Sequence, residues 1–480
     1  MKYESVIGLE VHVQLNTKTK LFCSCSTTFG AQPNTQTCPG CQSQPGTLPV
    51  FNKEVLKKGI LAGLALNCTI SNYSKFDRKN YFYPDLPKAY QISQYFMPLC
   101  KGGHVEIQTP TGTKQIRINR IHLEEDAGKL VHSEIQSRNE SYVDLNRGGI
   151  PLAEIVSEAD IRSADEAYEY LQNLKTILKY ADVSDVNMEE GSLRCDVNVS
   201  IREFGAPKFG ERVEVKNLNS FKAVKSAINY EIERQTELVE AGKKAEIVQE
   251  TKLWDADLGE TYSMRSKEDA TDYRYFPDPD LPPIIADDDF IDQIRQSLPE
   301  LPKPKKARFM EQYNLPEADA DILVSTRQLS EYYEQTIQAG GSPKRSANWI
   351  ISELLAKISN PEDVQNYPIP AVNLAELIKL VDDNTINGKT AKQVFFEMCD
   401  TGAKAQEIVE QKGLKQVTDT GEIESIVDKV ISENPKSVDD FKNGKEKAIG
   451  FLVGQIMKES RGKANPQIVN ELLISKLNNL

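Results

Sequence analysis

Four of the chain's eight cysteines stand as Cys23-x-Cys25 and, after twelve intervening residues, Cys38-Pro-Gly-Cys41. Two short knuckles of this kind can bring four thiolates onto one tetrahedral cation. Four sulfurs would fill the coordination sphere of zinc, so a metal held here is structural and not catalytic. The competing readings are four packed or solvent-facing free thiols, and a redox dithiol at Cys38 and Cys41 that leaves Cys23 and Cys25 without a role. Cys68, Cys100, Cys195 and Cys399 are scattered and read as ordinary small buried hydrophobes.

A second group of residues is acidic. Glu10 and His12 have the same parity in the alternating run of residues 6–15, so a carboxylate and an imidazole project from one face of a strand. A solvated strand face is the commoner outcome of such a pair. Further acids lie beside basic groups in His122-Leu-Glu-Glu-Asp-Ala-Gly-Lys129, in Pro151-Leu-Ala-Glu154, in residues 188–196 and in Glu214-Val-Lys-Asn-Leu-Asn219. If these strands neighbour one another, Glu10, His12, Glu154, Asp196 and Glu214 line one cavity. Clustered carboxylates repel unless cations sit between them, which implies Mg²⁺. Arg147, Arg194 and Lys216 could then meet phosphate oxygens. Glu124 and Glu125 face opposite ways on a strand, so only one of them enters the cavity.

Such a set suits phosphoryl transfer, in which cations neutralise charge on the moving group and the protein does little covalent chemistry. The familiar phosphate cradle is missing: Gly388-Lys-Thr390 ends like a P-loop, but Asp383 stands where its first glycine belongs. Two segments interleave aromatics with basic and amide groups. One is residues 76–94, with Lys79, Tyr81, Tyr83 and Tyr90; the other is residues 272–277, with Tyr275. Such mixtures can stack bases and grip a backbone, although a tyrosine-rich core edge gives the same pattern. Residues 441–463 hold six Lys or Arg against two Glu, a candidate phosphate-contacting face or a solvated helix rim.

The elements that must position these groups are mixed. Strand patterns recur at residues 116–123, 195–201 and 212–215, with helical stretches at 164–180 and 220–241, so the first part is α+β. Seven of the 24 prolines fall between Pro277 and Pro304 and place a domain boundary near residue 293. Beyond it the apolar spacing is helical almost throughout. A chain of 480 residues exceeds one core, so two to four domains are expected. The formal charge of −13 excludes nucleic-acid binding by overall basicity, and any RNA must meet a local patch. The start, Met-Lys-Tyr-Glu-Ser-Val-Ile, has no apolar signal region and no run is long enough to span a bilayer, so a cytoplasmic protein with reduced thiols and no membrane partner is expected.

Several motifs together closely resemble one family, the B subunits of bacterial aspartyl/glutamyl-tRNA(Asn/Gln) amidotransferases. They are Val6-Ile-Gly-Leu-Glu-Val-His12, the cysteine knuckles followed by Pro45-Gly-Thr-Leu-Pro49, Lys79-Asn-Tyr-Phe-Tyr-Pro-Asp85, residues 122–129, residues 189–196, Lys216-Asn-Leu-Asn-Ser-Phe221 and Tyr273-Arg-Tyr-Phe-Pro277. Gly454-Gln-Ile-Met-Lys458 and Gly462-Lys-Ala-Asn-Pro466 extend the resemblance into the tail.

The resemblance implies a glutamine-synthetase-like catalytic cradle at 1–293, a helical domain at 294–405 and a small helical, tRNA-contacting tail at 406–480. It selects Glu125 over Glu124 as an Mg²⁺ ligand beside Glu10 and His12, and implies ATP-dependent phosphorylation of the side-chain carboxylate of Glu-tRNA(Gln) or Asp-tRNA(Asn), followed by amidation. Ammonia would come from a glutaminase A subunit, with a small C subunit completing a heterotrimer, because this chain has no Ser-Ser-Lys amidase signature. A non-catalytic tRNA scaffold and a metal-dependent phosphohydrolase remain as rival readings of the same acids.

Overall fold

The computed structural model describes residues 2–132, 140–266, 272–416, 420–442, 445, 447–460 and 463–479. The chain divides into two compact units, Met1–Leu301 and Pro302–Leu480.

The first unit is organised by the strand Tyr3–Gln14, whose odd residues Ile7, Leu9, Val11 and Val13 are buried while Glu10, His12 and Gln14 occupy the other face. This strict period of two allows one pairing register, because a one-residue slip would exchange the two faces. It is the central strand of a ten-stranded mixed sheet. On one side lie Pro151–Ser157, then Gly112–Glu125, then the short strands Cys100–Lys101 and Thr69–Ile70. On the other lie Leu193–Glu203, Val213–Lys216, Glu250–Asp255 and the edge strand Glu260–Ser266. His104–Thr109 forms a hairpin with the start of Gly112–Glu125. Among the described residues only the pair Val213–Lys216 with Glu250–Asp255 is parallel, and the crossover between them carries the helix Phe221–Glu240, as parallel neighbours require.

Three capped helices supply much of the apolar core. Lys53–Ala65, Ala164–Tyr180 and Phe221–Glu240 begin at Asn52, Ser163 and Ser220, whose side chains accept the N–H of Glu54, Glu166 and Ala223. Each such cap is worth about 1 kcal/mol. Their buried residues, among them Ile60, Leu171, Leu174, Val224 and Ile228, join Ile7, Leu9, Val11, Val197 and Val215 in one cluster.

The proline-rich stretch is partly structured. Phe276–Pro277 pairs with Asp77–Asn80, and Ile284–Ile285 pairs with Tyr73–Ser74. Helix Asp288–Ser297 then buries Ile291 and Ile294 in the first core, so this core runs past residue 293.

The second unit is helical and contains two apolar clusters. One gathers residues from Phe309 to Val409, the other from Ile423 to Leu477. Helix Ala405–Gln411 belongs to the first of these through Ala405, Ile408 and Val409. Gly388-Lys-Thr390 opens the helix Gly388–Thr401, where the side chain of Asn387 accepts the Thr390 N–H as an ordinary cap. Within the basic stretch 441–463, Lys445 pairs with Asp440 at 2.8 Å, while Glu446 and Arg461 lie outside the described residues.

Candidate active site on the open sheet face

Antiparallel register assembles the site from strands distant in sequence. His12 lies opposite Glu154 on one neighbour and Arg194 on the other, and Glu154 lies opposite His122. One step along, Glu10 faces Asp196, and Asn198 faces Glu214. Of these side chains, Glu10, His12, His122, Glu154, Asp196 and Glu214 floor a cavity of about 410 Å³.

At its centre the Nε2 of His12 lies 3.3 Å from Glu154 and 3.6 Å from Glu124. The Nε2 of His122 is 3.2 Å from Glu154 and 3.6 Å from Glu124. One ligand atom from each of His12, Glu124 and Glu154 falls within 4.8 Å of the others, the spacing a single cation can bridge. Ser93 donates to Glu124 at 3.2 Å, Asn198 to Glu10 at 3.0 Å and Thr251 to Glu214 at 2.8 Å. Lys216 bridges Asp196 and Glu214.

The electrostatics follow from this crowding. Burial, with Glu154 and Glu214 nearby, raises the pKa of Glu10, so its charged form is under-compensated. Burial works against a charged His122, but Glu154 and Glu124 outweigh it and push its pKa up to about 9. Burial likewise opposes ionisation of Glu154, yet the two imidazoles hold its carboxyl well below the usual range. Lys216 is raised by Asp196 and Glu214 against its own burial.

An aromatic wall stands over the cavity. Tyr95 and Tyr275 stack at 4.1 Å, Tyr273 packs edge-on to Tyr275 and Tyr81, and the Lys79 ammonium lies 4.8 Å from the Tyr273 ring centre. Arg274, between the two wall tyrosines, has φ +40°, a strained conformation for a side-chain-bearing residue. The Asn80 amide holds that backbone by donating to the carbonyls of Arg274 at 2.9 Å and Tyr273 at 3.3 Å.

Of the residues expected from sequence, Glu10, His12, Glu154, Asp196, Glu214, Lys216, Lys79 and Tyr275 line this cavity, and Tyr81 packs behind it. Glu125 does not. Its parity turns it to the opposite sheet face, where it pairs with Lys88 and accepts the Ile92 N–H at 2.9 Å, so the placement of Glu125 in the cavity is corrected to Glu124. Arg194 and Arg147 are drawn to the buried Asp126, at 2.9 and 3.7 Å, and are not part of the cavity lining. Tyr90 stacks under Arg78 and lines a second cavity of about 340 Å³ with Glu125, Cys23 and Cys41, while Tyr83 is an exposed loop residue. Sequence reasoning left out His122, Arg120 and Arg212, which also line the main cavity. His122 shares the parity of Glu124, and that was the available signal.

The four knuckle sulfurs of Cys23, Cys25, Cys38 and Cys41 also lie within 4.8 Å of one another, half-buried. A hydrogen bond from Cys23 pushes the Cys41 thiol down to about 4, and the same bond raises Cys23. Burial raises Cys25 to about 11.

An open sheet face with a carboxylate–imidazole cluster, basic groups at its margin and an aromatic wall can hold a cation against a phosphorylated substrate. Comparison with known proteins agrees with a catalytic role for this unit. Residues 5–292 match the GatB/GatE catalytic domain, and residues 331–477 match the GatB domain. The B subunit of the aspartyl/glutamyl-tRNA(Asn/Gln) amidotransferase of Caldanaerobacter subterraneus subsp. tengcongensis is 56% identical over 478 residues, covering 99% of this chain and 100% of that one. Those of Carboxydothermus hydrogenoformans and Geotalea daltonii are 55% and 54% identical, each covering 99% of this chain and 99% and 100% of their own. The chain belongs to this family of amidotransferase B subunits.

Proposed function

We propose that the first unit activates the side-chain carboxylate of glutamate or aspartate carried on tRNA(Gln) or tRNA(Asn), using ATP, and that ammonia then converts it to the amide. The observation that carries this is the convergence of His12, Glu124, Glu154, Glu10 and Lys216 in one cavity beneath Tyr275. The names of the relatives support the substrate class.

A carboxylate is a poor electrophile until one oxygen becomes a good leaving group. In the proposed sequence a carboxylate oxygen attacks the terminal phosphorus of ATP, ADP departs with the electron pair of the broken P–O bond, and an acyl phosphate results. Ammonia attacks the acyl carbon, phosphate leaves with the C–O electron pair, and a proton passes to solvent or a nearby base.

The donor set fits Mg²⁺: two or three carboxylates, with an imidazole, around a Glu10 whose charge is under-compensated. His12, Glu124 and Glu154 would hold it, and Glu10, Asp196 and Glu214 are further carboxylates of the same cavity. Bound there, the cation supplies charge neutralisation on the transferring phosphoryl group. Lys216, Arg212 and Arg120 are placed to meet phosphate oxygens, and the Tyr95–Tyr275 stack is a platform for an unpaired base at the aminoacyl end. Arg147 and Arg194 act at one remove, by holding Asp126.

Ammonia is assigned to a partner glutaminase subunit, with a small third subunit in a heterotrimer. Cys23, Cys25, Cys38 and Cys41 hold structural Zn²⁺ in this scheme. Among the described residues no helix is long and apolar enough to cross a membrane, and a cytoplasmic complex is proposed.

The test is ATP cleavage by the purified complex with and without misacylated tRNA. Cleavage that depends on the misacylated tRNA is expected. No cleavage under any condition would point to a scaffold, and equal cleavage without tRNA to a phosphohydrolase.

A further inference from the structure

Lys20 is fully buried, and its amino group reaches two segments at once: the Sγ of Cys41 at 3.7 Å and the main-chain carbonyl of Leu145 at 3.1 Å. Its own backbone is pinned. The N–H donates to the Cys25 carbonyl at 3.0 Å, and its carbonyl accepts from the Asn52 side chain at 3.2 Å. Its stem lies against Gly149, where an added Cβ would meet the lysine Cδ at 3.5 Å.

A lysine is seldom fully buried without a counter-charge. The Leu145 carbonyl is neutral, so the counter-charge has to come from the cysteine cluster. The Cys41 sulfur also accepts the Cys38 N–H at 3.1 Å and lies 3.5 Å from the Cys38 carbonyl oxygen, so the knuckle backbone fixes its position. Four thiolates around a zinc dication leave two net negative charges, and a buried ammonium beside one sulfur offsets part of that excess. The bond to Leu145 has a second effect, because Leu145 precedes Arg147 by two positions. The Asn34 side chain, between the knuckles, also donates to the Val143 carbonyl at 2.9 Å and accepts the Leu145 N–H at 2.8 Å.

We propose that Lys20 is a positioning residue of the tetrathiolate metal centre: its ammonium offsets the thiolate charge, orients Cys41 and ties the centre to the loop carrying Arg147. This rests on the zinc assignment made under the proposed function.

The test uses the intact complex with wild-type Lys20 and with Lys20→Arg, Lys20→Gln and Lys20→Met. Zinc content and the rate of zinc transfer to a colorimetric chelator, 4-(2-pyridylazo)resorcinol, are measured beside thermal unfolding. Partners of metal ligands typically change affinity by about 10- to 100-fold, so Lys20→Met is expected to release zinc at least tenfold faster, with Lys20→Arg near wild type. Release at the wild-type rate from Lys20→Met, even with a lowered unfolding temperature, would reduce Lys20 to packing and overturn the proposal. If Lys20→Met does not fold, equal release from Lys20→Gln and Lys20→Arg overturns the charge role. Absence of zinc from the wild type would remove the zinc assignment itself, a result distinguishable from the failure of Lys20 alone.

Discussion

Glu124 and Glu125 are adjacent in the chain yet serve different cavities: the Glu124 carboxylate lies 3.6 Å from the His12 imidazole, while that of Glu125 accepts the Ile92 N–H at 2.9 Å and pairs with Lys88. Two isosteric variants therefore part company. Glu124→Gln is expected to weaken Mn²⁺ binding, followed by electron paramagnetic resonance, at least tenfold and to abolish tRNA-dependent ATP cleavage. Glu125→Gln is expected to keep Mn²⁺ affinity within about threefold while losing about 3–5 kcal/mol of stability from the broken buried pair. The reverse order would move the metal to the other face.

The imidazole cluster predicts a pH signature for chelator-treated protein. His122 binds its proton more tightly folded than unfolded, so its contribution is complete below pH 6.5 and lost as pH rises through about 9. Glu154 works in the opposite sense, its contribution being present above about pH 4.5 and lost on acidification. Urea midpoints should fall between pH 6.5 and 9, and His122→Gln should flatten that limb. An unchanged limb in the variant would remove His122 as its source.

For the cysteine knuckles, protein prepared without added zinc is expected to carry about one zinc per chain, and Cys41→Ser to lose it. Elemental analysis decides. No zinc, together with four thiols reactive toward a thiol reagent, would contradict the assignment.

The tail should separate capture from chemistry. A chain ending at Gln416 keeps Ile408 and Val409 in the second-unit core, whereas a cut at 406 removes both and opens it. In the complex, this truncation should weaken tRNA binding and reduce the salt dependence, by about 0.7–0.9 in logarithmic slope for each phosphate that is no longer neutralised. ATP cleavage should recover at high tRNA concentration. An unchanged affinity and slope would make the tail a solvated appendage.

Tyr275→Ala removes one side of the Tyr95 stack and should cost about 1–3 kcal/mol in tRNA binding if a base stacks there. The expected kinetic form is a raised KM with kcat much less affected. A loss confined to kcat would place Tyr275 in the chemistry instead.

The strand Tyr3–Gln14 is legible in sequence because its alternation is strict, and with it the partnership of Glu10 and His12. The helices Ala164–Tyr180 and Phe221–Glu240 are legible from a clear period with a capping serine, Ser163 or Ser220, before each. The choice between Glu124 and Glu125 is harder, since period two says that one of them enters without saying which; only the shared parity of His122 and Glu124 decides it. Arg147 and Arg194 look free in sequence because Asp126, which binds both, follows a strand whose end cannot be placed to one residue. The strands Glu250–Asp255 and Glu260–Ser266 escape notice because Glu-Thr-Lys-Leu-Trp-Asp has no clean alternation and acquires its place through a parallel pairing across a long helix.

The position of the first strand bears on how the chain is made. Tyr3–Gln14 leaves the ribosome well before the strands it pairs with, since His12 has its partners at Glu154 and Arg194. At about 5–20 residues per second the strand waits on the order of 10–40 s before both neighbours exist. Through that interval the apolar row of Ile7, Leu9, Val11 and Val13 has no sheet to join, and the polar residues Glu10, His12 and Gln14, two of them later on the floor of the cavity, interrupt it as gatekeepers do beside an unavoidable apolar strand. The residues proposed for catalysis would then guard the chain against aggregation well before any substrate reaches them.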